Sequence, residues 1–126
     1  MTFKYTDAFV TIAAIEFETL LQFYRQLLEQ EPNPYFPQVY AEFQLNGLRL
    51  GIFQPKKSHR QEFSDSVSSG LSLCLEVKDL EDAIAHLTKM GHPPPGDITT
   101  ASHGREIYAY DPAGNRLILH QSAKQL

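Results

Sequence analysis

The sequence contains charged, aromatic and hydroxyl side chains that recur at alternate positions of short aliphatic segments. Glu42, Arg49, Glu76, Arg116 and His120 are the ones best suited to chemistry. A carboxylate beside an imidazole can exchange protons, and a guanidinium can bind an anionic or carbonyl group. These residues are therefore compatible with acid–base catalysis or with recognition of a small polar molecule.

Nucleophilic catalysis has less support. Ser72 and Cys74 lie in one of the aliphatic segments. A serine or cysteine nucleophile needs an adjacent base that is held by a third group, and the sequence indicates no such arrangement. Cys74 is expected to be a small buried hydrophobic residue. We therefore assign no catalytic residue.

Composition excludes several classes of protein. The chain has 126 residues, of which 42% are hydrophobic and 21% charged, and this is typical of one folded domain. The net charge of −4 argues against a nucleic-acid partner and against a polybasic membrane anchor. No apolar run approaches the roughly 18 residues of a membrane span. One cysteine and the absence of an apolar signal core favour a soluble cytoplasmic protein.

Alternation of apolar and polar residues predicts the strands. The Asn46-Gly47 pair is a strong signal for a two-residue hairpin turn. The predicted strands are Phe9–Ala14, Gln38–Leu45, Leu48–Phe53, Leu71–Val77, Gly104–Tyr110 and Arg116–His120.

Helical periodicity predicts two helices. The first covers Glu16–Leu28, and three prolines between residues 32 and 37 predict an irregular connection after it. The second begins after Asp79, its expected N-cap, and ends at Gly91. The segment His103-Gly104-Arg105 is expected to be an ordinary loop or a lid.

The order strand, helix, strands occurs twice. Gly47–Gln54 aligns with Gly114–Gln121, with Gly, Arg, Leu and Gln at corresponding positions. The alternative is a chance likeness between two hairpins. If the repeat is real, neither half is long enough to fold alone. We expect a single domain over 1–126, with one module over about 7–54, a polar linker over 55–69 and a second module over about 70–121.

Two motifs carry a resemblance to a known family. Glu16-x-Glu18-x4-Phe23-Tyr24 follows the first strand, and Asp111-Pro112-Ala113-Gly114-Asn115-Arg116 forms a closing turn. Over residues 7–121 this pattern resembles the vicinal oxygen chelate superfamily, which contains glyoxalase I, bleomycin-resistance proteins and extradiol dioxygenases. The resemblance implies an α+β fold in which two βαβββ modules form curled mixed sheets around a cavity, with the helices outside.

Strand alternation gives a separate estimate of what lines that cavity. The aliphatic face of each strand is expected to meet the helices, and the other face to bind a ligand. The alternative is a sheet face that is simply half solvated. The candidate ligand-binding residues are Phe9, Tyr40, Glu42, Arg49, Phe53, Ser72, Glu76, Tyr108, Tyr110, Arg116 and His120.

The resemblance also implies where a metal would be held. Metal-dependent members place His or Glu ligands in the first and last strand of each module. The matching positions here are Phe9, Gly51, Ser72 and Ile118, which are poor donors or none. We therefore expect no metal and no other cofactor.

The favoured function is metal-independent binding of an aromatic or anionic small molecule, similar to the drug-sequestering members. Arg49 and Arg116 would hold anionic or carbonyl groups, or would instead form structural ion pairs with neighbouring glutamates. The alternative is a glyoxalase-like lyase or isomerase with a shifted metal site or an acid–base pair such as Glu76 and His120. A third hypothesis is an interaction module whose concave face binds a protein. A homodimer is expected, as is common in the superfamily.

Overall fold

The structure, a computed structural model, describes residues 3–4, 6–64 and 69–123. The chain divides into two compact units, Met1–Phe63 (the first unit) and Ser64–Leu126 (the second unit). Each unit has one α-helix and one four-stranded mixed sheet. The elements are β1 (Val10–Ala13), α1 (Phe17–Leu28), β2 (Tyr35–Phe36), β3 (Tyr40–Leu45), β4 (Leu48–Phe53), a 3₁₀-helix (Lys57–Phe63), β5 (Leu73–Glu76), α2 (Leu80–Lys89), β6 (Thr99–Ala101), β7 (Gly104–Tyr110) and β8 (Arg116–Ser122).

The first unit is a βαβββ module. Its strands lie in the order β1-β4-β3-β2, with β1 parallel to β4 and the other pairs antiparallel. The predicted hairpin joins β3 to β4, and Gly47 supplies the positive φ of 78° that this turn requires. Helix α1 contacts β4. Its buried residues, including Phe17, Leu21 and Tyr24, cover the buried side chains Leu50 and Ile52 of that strand.

The second unit repeats this topology. Its strands lie in the order β5-β8-β7-β6, with β5 parallel to β8. Helix α2 contacts β8, and its buried side chains Leu80 and Leu87 lie in the core with Leu117 and Leu119. Asp79 caps the helix as predicted, because its Oδ1 accepts a hydrogen bond from the Asp82 N–H at 2.9 Å.

Side-chain hydrogen bonds close one turn of the second sheet and join that sheet to α2. Asp111 Oδ1 accepts from the N–H groups of Ala113 and Asn115, both at 2.9 Å, and this closes the turn between β7 and β8. Arg105 donates two hydrogen bonds to Glu81 of α2, at 2.6 and 2.8 Å. The carboxyl group of Glu81 has its pKa lowered to about 2, first by the hydrogen bonds from Arg105.

Some details differ from the sequence predictions. Two short strands, β2 and β6, were not predicted, and they form by pairing with β3 and β7. The predicted linker over 55–69 contains the 3₁₀-helix Lys57–Phe63, and its residues 65–68 lie outside the described part of the chain. Cys74 is exposed, so its prediction as a buried residue is wrong. It lies on the face of β5 opposite the core. Among the described residues, no helix is both long enough and apolar enough to cross a bilayer.

Candidate functional site

Glu42 lies at the centre of a hydrogen-bonded cluster in the first unit. Its Oε1 accepts from Tyr40 Oη at 2.8 Å, and its Oε2 accepts from Gln44 Nε2 at 2.7 Å and from Arg49 Nη1 at 3.2 Å. Tyr40, Glu42 and Gln44 share one face of β3, and Gln44 pairs with Arg49 of β4. Glu42 is only 7% exposed, and its three hydrogen-bond partners belong to its own unit.

These contacts keep Glu42 ionised and Tyr40 neutral. Hydrogen bonds from Gln44 and then from Tyr40 lower the pKa of Glu42, and burial opposes them. Burial, followed by the hydrogen bond to Glu42, raises the pKa of Tyr40 to about 12. The centre of the cluster is therefore a carboxylate that accepts hydrogen bonds from neutral and cationic donors. Near neutral pH Glu42 stays ionised and Tyr40 stays neutral.

Arg49 has carboxylates on two sides. Besides Glu42, its guanidinium forms an ion pair with Asp7 through Nη2. The guanidinium carbon also lies 4.4 Å from the centre of the Phe9 ring, within the range of a cation–π contact. The positive charge of Arg49 is thus paired with carboxylates and an aromatic ring of the first unit.

Phe53, at the other end of β4, packs edge-on against Phe63, and their ring centres are 5.5 Å apart.

Arg116 occupies the equivalent place in the second unit but has different partners. Its Nε donates to Ser72 Oγ at 2.7 Å, and its Nη2 donates to the backbone oxygen of Ser69 at 3.0 Å. Both acceptors are neutral, and no ion pair of Arg116 is found among the described residues. Arg116 pairs with Tyr110 across the β7–β8 ladder, so the two side chains share one face of the sheet.

That face, which we call the open face of the second unit, is opposite the one that holds Leu117 and Leu119. It is defined by Tyr108, Tyr110, Arg116, Ile118 and His120. Tyr108 is 47% exposed and Tyr110 is 36% exposed. A cavity of about 380 Å³ lies beside them. The cavity is lined by Pro95, Gly96, Asp97, Thr99, Glu106, Ile107, Tyr108 and Tyr110.

A second polar cluster lies at the other end of the open face. Glu76 Oε1 is 2.8 Å from His120 Nδ1, and Glu76 Oε2 accepts from Ser122 Oγ at 2.5 Å. His120 Nε2 is in turn 3.1 Å from His103 Nδ1. Hydrogen bonds from Ser122 and then from His120 lower the pKa of Glu76. The cluster is therefore a chain of three titratable groups that begins at a carboxylate.

The positions that the resemblance gives to metal ligands do not fit a divalent cation. Phe9, Gly51 and Ile118 have no donor atom, and the Ser72 hydroxyl is already hydrogen-bonded. A Cβ added to Gly51 would lie 2.5 Å from Tyr40 Oη, so the tyrosine fills the space that a longer side chain would need. In the described part of the chain, no three His, Cys, Asp or Glu side chains converge as a metal site would require.

Each unit brings together its own share of the candidate residues. Phe9, Tyr40, Glu42 and Arg49 meet in the first unit. In the second unit Ser72 meets Arg116, Glu76 meets His120, and the tyrosines border one cavity. Sequence reasoning missed several contributors, since they lie in turns, in short strands or on positions judged merely polar. These are Asp7, Gln44, Asp97, Thr99, Glu106 and Ser122, and His103 was expected only as part of a loop or lid.

No protein-family model matches the sequence, and no curated protein matches it. Solved structures do match its fold. A glyoxalase/bleomycin resistance protein from Catenulispora acidiphila DSM 44928 has a TM-score of 0.68 at 23% identity, over 91% of this chain and 96% of that one. The bleomycin resistance determinant of transposon Tn5 has a TM-score of 0.66 at 20% identity, over 94% and 100%. A lactoylglutathione lyase from Agrobacterium tumefaciens has a TM-score of 0.69 at 17% identity, over 92% and 93%.

These likenesses extend over nearly the whole chain and concern its fold. The chain has the α+β fold of the glyoxalase/bleomycin resistance proteins, with two βαβββ modules. The fold class that the repeat and the two motifs predicted is confirmed.

Proposed function

We propose that this chain binds a small molecule on the open face of its second unit and does so without a metal. In this proposal the ligand carries an acidic group that contacts Arg116 and a flat part that lies against Tyr108 and Tyr110. The name of one structure with this fold, a bleomycin resistance determinant, is compatible with a binding role.

The observation that carries the proposal is the difference between two arginines at equivalent places in the repeat. Arg49 faces two carboxylates, those of Glu42 and Asp7. Among the residues that the structure describes, Arg116 contacts a hydroxyl and a backbone oxygen and no carboxylate. A guanidinium without a carboxylate partner, with donors left over, is suited to binding the carboxylate or phosphate of a ligand.

The cavity lies next to this location, because Tyr110 lines it and pairs with Arg116 across the β7–β8 ladder. Its volume of about 380 Å³ suits a small molecule, and two partly exposed tyrosine rings can contact a flat group. Asp97 and Glu106 also line it, and they would accept hydrogen bonds from an amine or hydroxyl on the same ligand. We therefore infer a ligand that combines an acid, a ring and a hydrogen-bond donor.

Paired variants test this proposal by thermal shift and calorimetry. The probes are 3-phenylpropionate, phenethylamine and phenylalanine, which share a ring and differ in their charged groups. We expect the two carboxylates to stabilise the protein more than the amine does. Arg116→Met should abolish that stabilisation and change the unliganded melting temperature little. Arg49→Met should lower the melting temperature and leave binding intact.

Equal binding by the wild type and Arg116→Met would refute the proposed location.

Dialysis against a chelator tests metal independence, and it should leave binding unchanged. A chelator-sensitive loss of binding that added Zn²⁺ or Ni²⁺ restores would refute that part of the proposal.

We further propose a homodimer in the cytoplasm. Phe36 of the edge strand β2 and Val39 shortly after it are 55% and 60% exposed, and covering them with a second copy would bury apolar surface. The exposed free thiol of Cys74 suits a reducing compartment.

A further inference from the structure

We propose that Glu76, His120 and His103 form a proton relay that removes a proton from a molecule bound on the open face of the second unit. This inference rests on the proposed function, since it needs a ligand on that face. It adds a reaction to the binding: a metal-free proton transfer whose base is an imidazole and whose substrate is a flat acid with a weakly acidic hydrogen.

Hydrogen-bond geometry fixes where the protons lie. The Glu76 carboxylate only accepts, so the His120 nitrogen that faces it at 2.8 Å, Nδ1, carries a hydrogen. In neutral His120 the other nitrogen, Nε2, is then an acceptor. His103 Nδ1, 3.1 Å away, must therefore donate, and this leaves His103 Nε2 as the acceptor at the outer end of the chain.

The fold holds the two imidazoles in this relationship. Their ring planes are 20° apart and their centres 5.3 Å apart, in keeping with an in-plane hydrogen bond between them. The His103 carbonyl accepts from the Ala123 N–H at 3.1 Å, which ties the β6–β7 turn to the end of β8. Gly104 has a φ of 146°, and a Cβ there would lie 2.3 Å from the Gln121 carbonyl oxygen and 3.0 Å from His120 Nε2. Only glycine allows this approach.

The carboxylate end is fixed as well. Ser122 Oγ donates to Glu76 Oε2 at 2.5 Å, so Glu76 is held from both sides. Glu106 pairs with His120 across the β7–β8 ladder and adds a second carboxylate near the imidazoles.

The relay and Arg116 share one strand face. Arg116, Ile118 and His120 alternate along β8, and four residues span about 13 Å of strand. Ile118, with Tyr108 as its partner on β7, supplies an apolar surface between the two ends. The face is therefore suited to a flat ligand whose acid group contacts Arg116 and whose ionisable hydrogen reaches the imidazoles.

The proposed step takes one proton from the ligand and passes a second proton between the two imidazoles, and no other atom of the protein is transferred. His103 Nε2 takes a proton from a C–H group of the ligand, whose electron pair stays on the ligand. His103 passes its Nδ1 proton to His120 Nε2, and the resulting imidazolium keeps its Nδ1–H on Glu76. No oxidant, reductant or metal takes part. Return of the proton at another ligand atom would complete an isomerisation, and loss of a leaving group would complete an elimination.

The test uses 3-(1,2-benzisoxazol-5-yl)propionate, a flat acid that reports on bases and whose side chain carries the carboxylate away from the reacting C–H group. Removal of its C3 proton forms a nitrile, breaks the N–O bond and leaves a 2-cyanophenolate that is followed by its ultraviolet absorbance. We expect the wild type to accelerate this elimination by at least about a hundredfold over buffer, as for a positioned general base. His103→Gln and His120→Gln should lose the acceleration, and His59→Gln, a change at an exposed histidine of the first unit, should keep it.

Glu76 is a positioning residue in this scheme. Glu76→Gln should lower kcat about tenfold or more and leave KM unchanged, in a protein whose melting temperature shows that it is fully folded. Nitrogen-15 NMR of the histidine side chains gives a readout that needs no substrate. In the neutral imidazole rings it should find the hydrogen on Nδ1 of both His120 and His103. A hydrogen on Nε2 of neutral His120 would overturn the relay.

The two proposals fail separately. Arg116→Met should raise KM and leave kcat nearly unchanged. If it leaves KM unchanged and the histidine variants still lose turnover, the relay stands and the proposed binding site is wrong. If the probe binds in an Arg116-dependent way but turns over equally in the wild type, His103→Gln and His120→Gln, the relay is wrong and the binding site stands.

Discussion

The ring of Tyr40 occupies the space that a side chain on residue 51 would require. A Cβ on Gly51 would lie 2.5 Å from Tyr40 Oη and 2.8 Å from Cε1, closer than such contacts ever come. The tyrosine reaches this place because its hydroxyl donates to Glu42, and Glu42 pairs with Gly51 across the β3–β4 ladder. A buried ion cluster and a tyrosine thus occupy the strand position to which the resemblance assigns a metal ligand.

Gly51→Ala should destabilise the protein by about 1–3 kcal/mol, since overpacking forces the Tyr40 ring to move. Chemical denaturation gives this free energy of unfolding. Gly70→Ala is the matched control, because a Cβ there meets nothing within 4 Å. In a Tyr40→Ala background the alanine at position 51 should add little further loss. An undiminished cost in that background would contradict the steric explanation.

Glu42→Gln should lower the free energy of unfolding by about 2 kcal/mol at neutral pH, since the charge-assisted hydrogen bonds become neutral ones. The pKa of Glu42 is lowered from its ordinary value of 4.5 in the folded state. Its stabilising effect is therefore complete above that value and disappears as the pH falls through the lowered pKa. Denaturation curves of both proteins should converge in acid, and the exposed Glu62→Gln should match the wild type throughout.

Arg105→Met should bring the pKa of Glu81 from about 2 back toward 4.5. The guanidinium favours the ionised carboxylate through two short hydrogen bonds, so its removal makes the carboxyl group easier to protonate. Carbon-13 NMR titration of the side-chain carboxyl measures this directly. Lys89→Met removes a cation from the same helix and should leave the titration of Glu81 unchanged. A similar pKa shift in both variants would mean that loss of any nearby positive charge, and not loss of the hydrogen bonds, causes it.

Asp111→Ala should cost about 2 kcal/mol of stability, because the side chain bonds two backbone N–H groups and the Asn115 amide in one turn. Asp111 is 4% exposed, so water cannot replace these bonds. Thermal and urea unfolding measure the loss. Asp97→Ala, at an exposed aspartate, should stay within about 0.5 kcal/mol of the wild type. If Asp111→Ala is as stable as Asp97→Ala, the hydrogen bonds of Asp111 do not stabilise the turn.

Val39→Asp should convert the proposed homodimer into a monomer, because a charge would be placed in the apolar contact. Sedimentation equilibrium should give twice the chain mass for the wild type and the chain mass for the variant. Gln22→Asp, on an exposed position of α1, is the control and should remain dimeric. A monomeric wild type at all concentrations would rule out the dimer.

Strong local signals explain how much of the fold can be predicted from the sequence. Asn46-Gly47 determines a hairpin with two residues, and Asp79 and Gly91 mark the ends of a helix through capping and a positive φ of 91°. β2 lacks such a signal. Its two residues, Tyr35–Phe36, lie among prolines and are a strand only because β3 offers backbone partners.

The candidate site is harder to predict than the fold. Alternation indicates which side chains share a face, and it places Glu42 and Arg49 correctly on the same one. It leaves open whether Arg49 binds a neighbouring glutamate or a ligand, and it does not indicate that Asp7 joins the pair from outside the strand. The position of His103 depends on a turn whose path only Gly104 permits, and such long-range contacts leave no periodic pattern.

The exposed thiol of Cys74 gives a practical means of observing the second unit. It is the chain's single cysteine, and it pairs with Ile118, midway between Arg116 and His120. A fluorescent maleimide would therefore attach at one known place beside the tyrosines. Changes in its emission would follow occupancy of this sheet in real time, with no engineered labelling site.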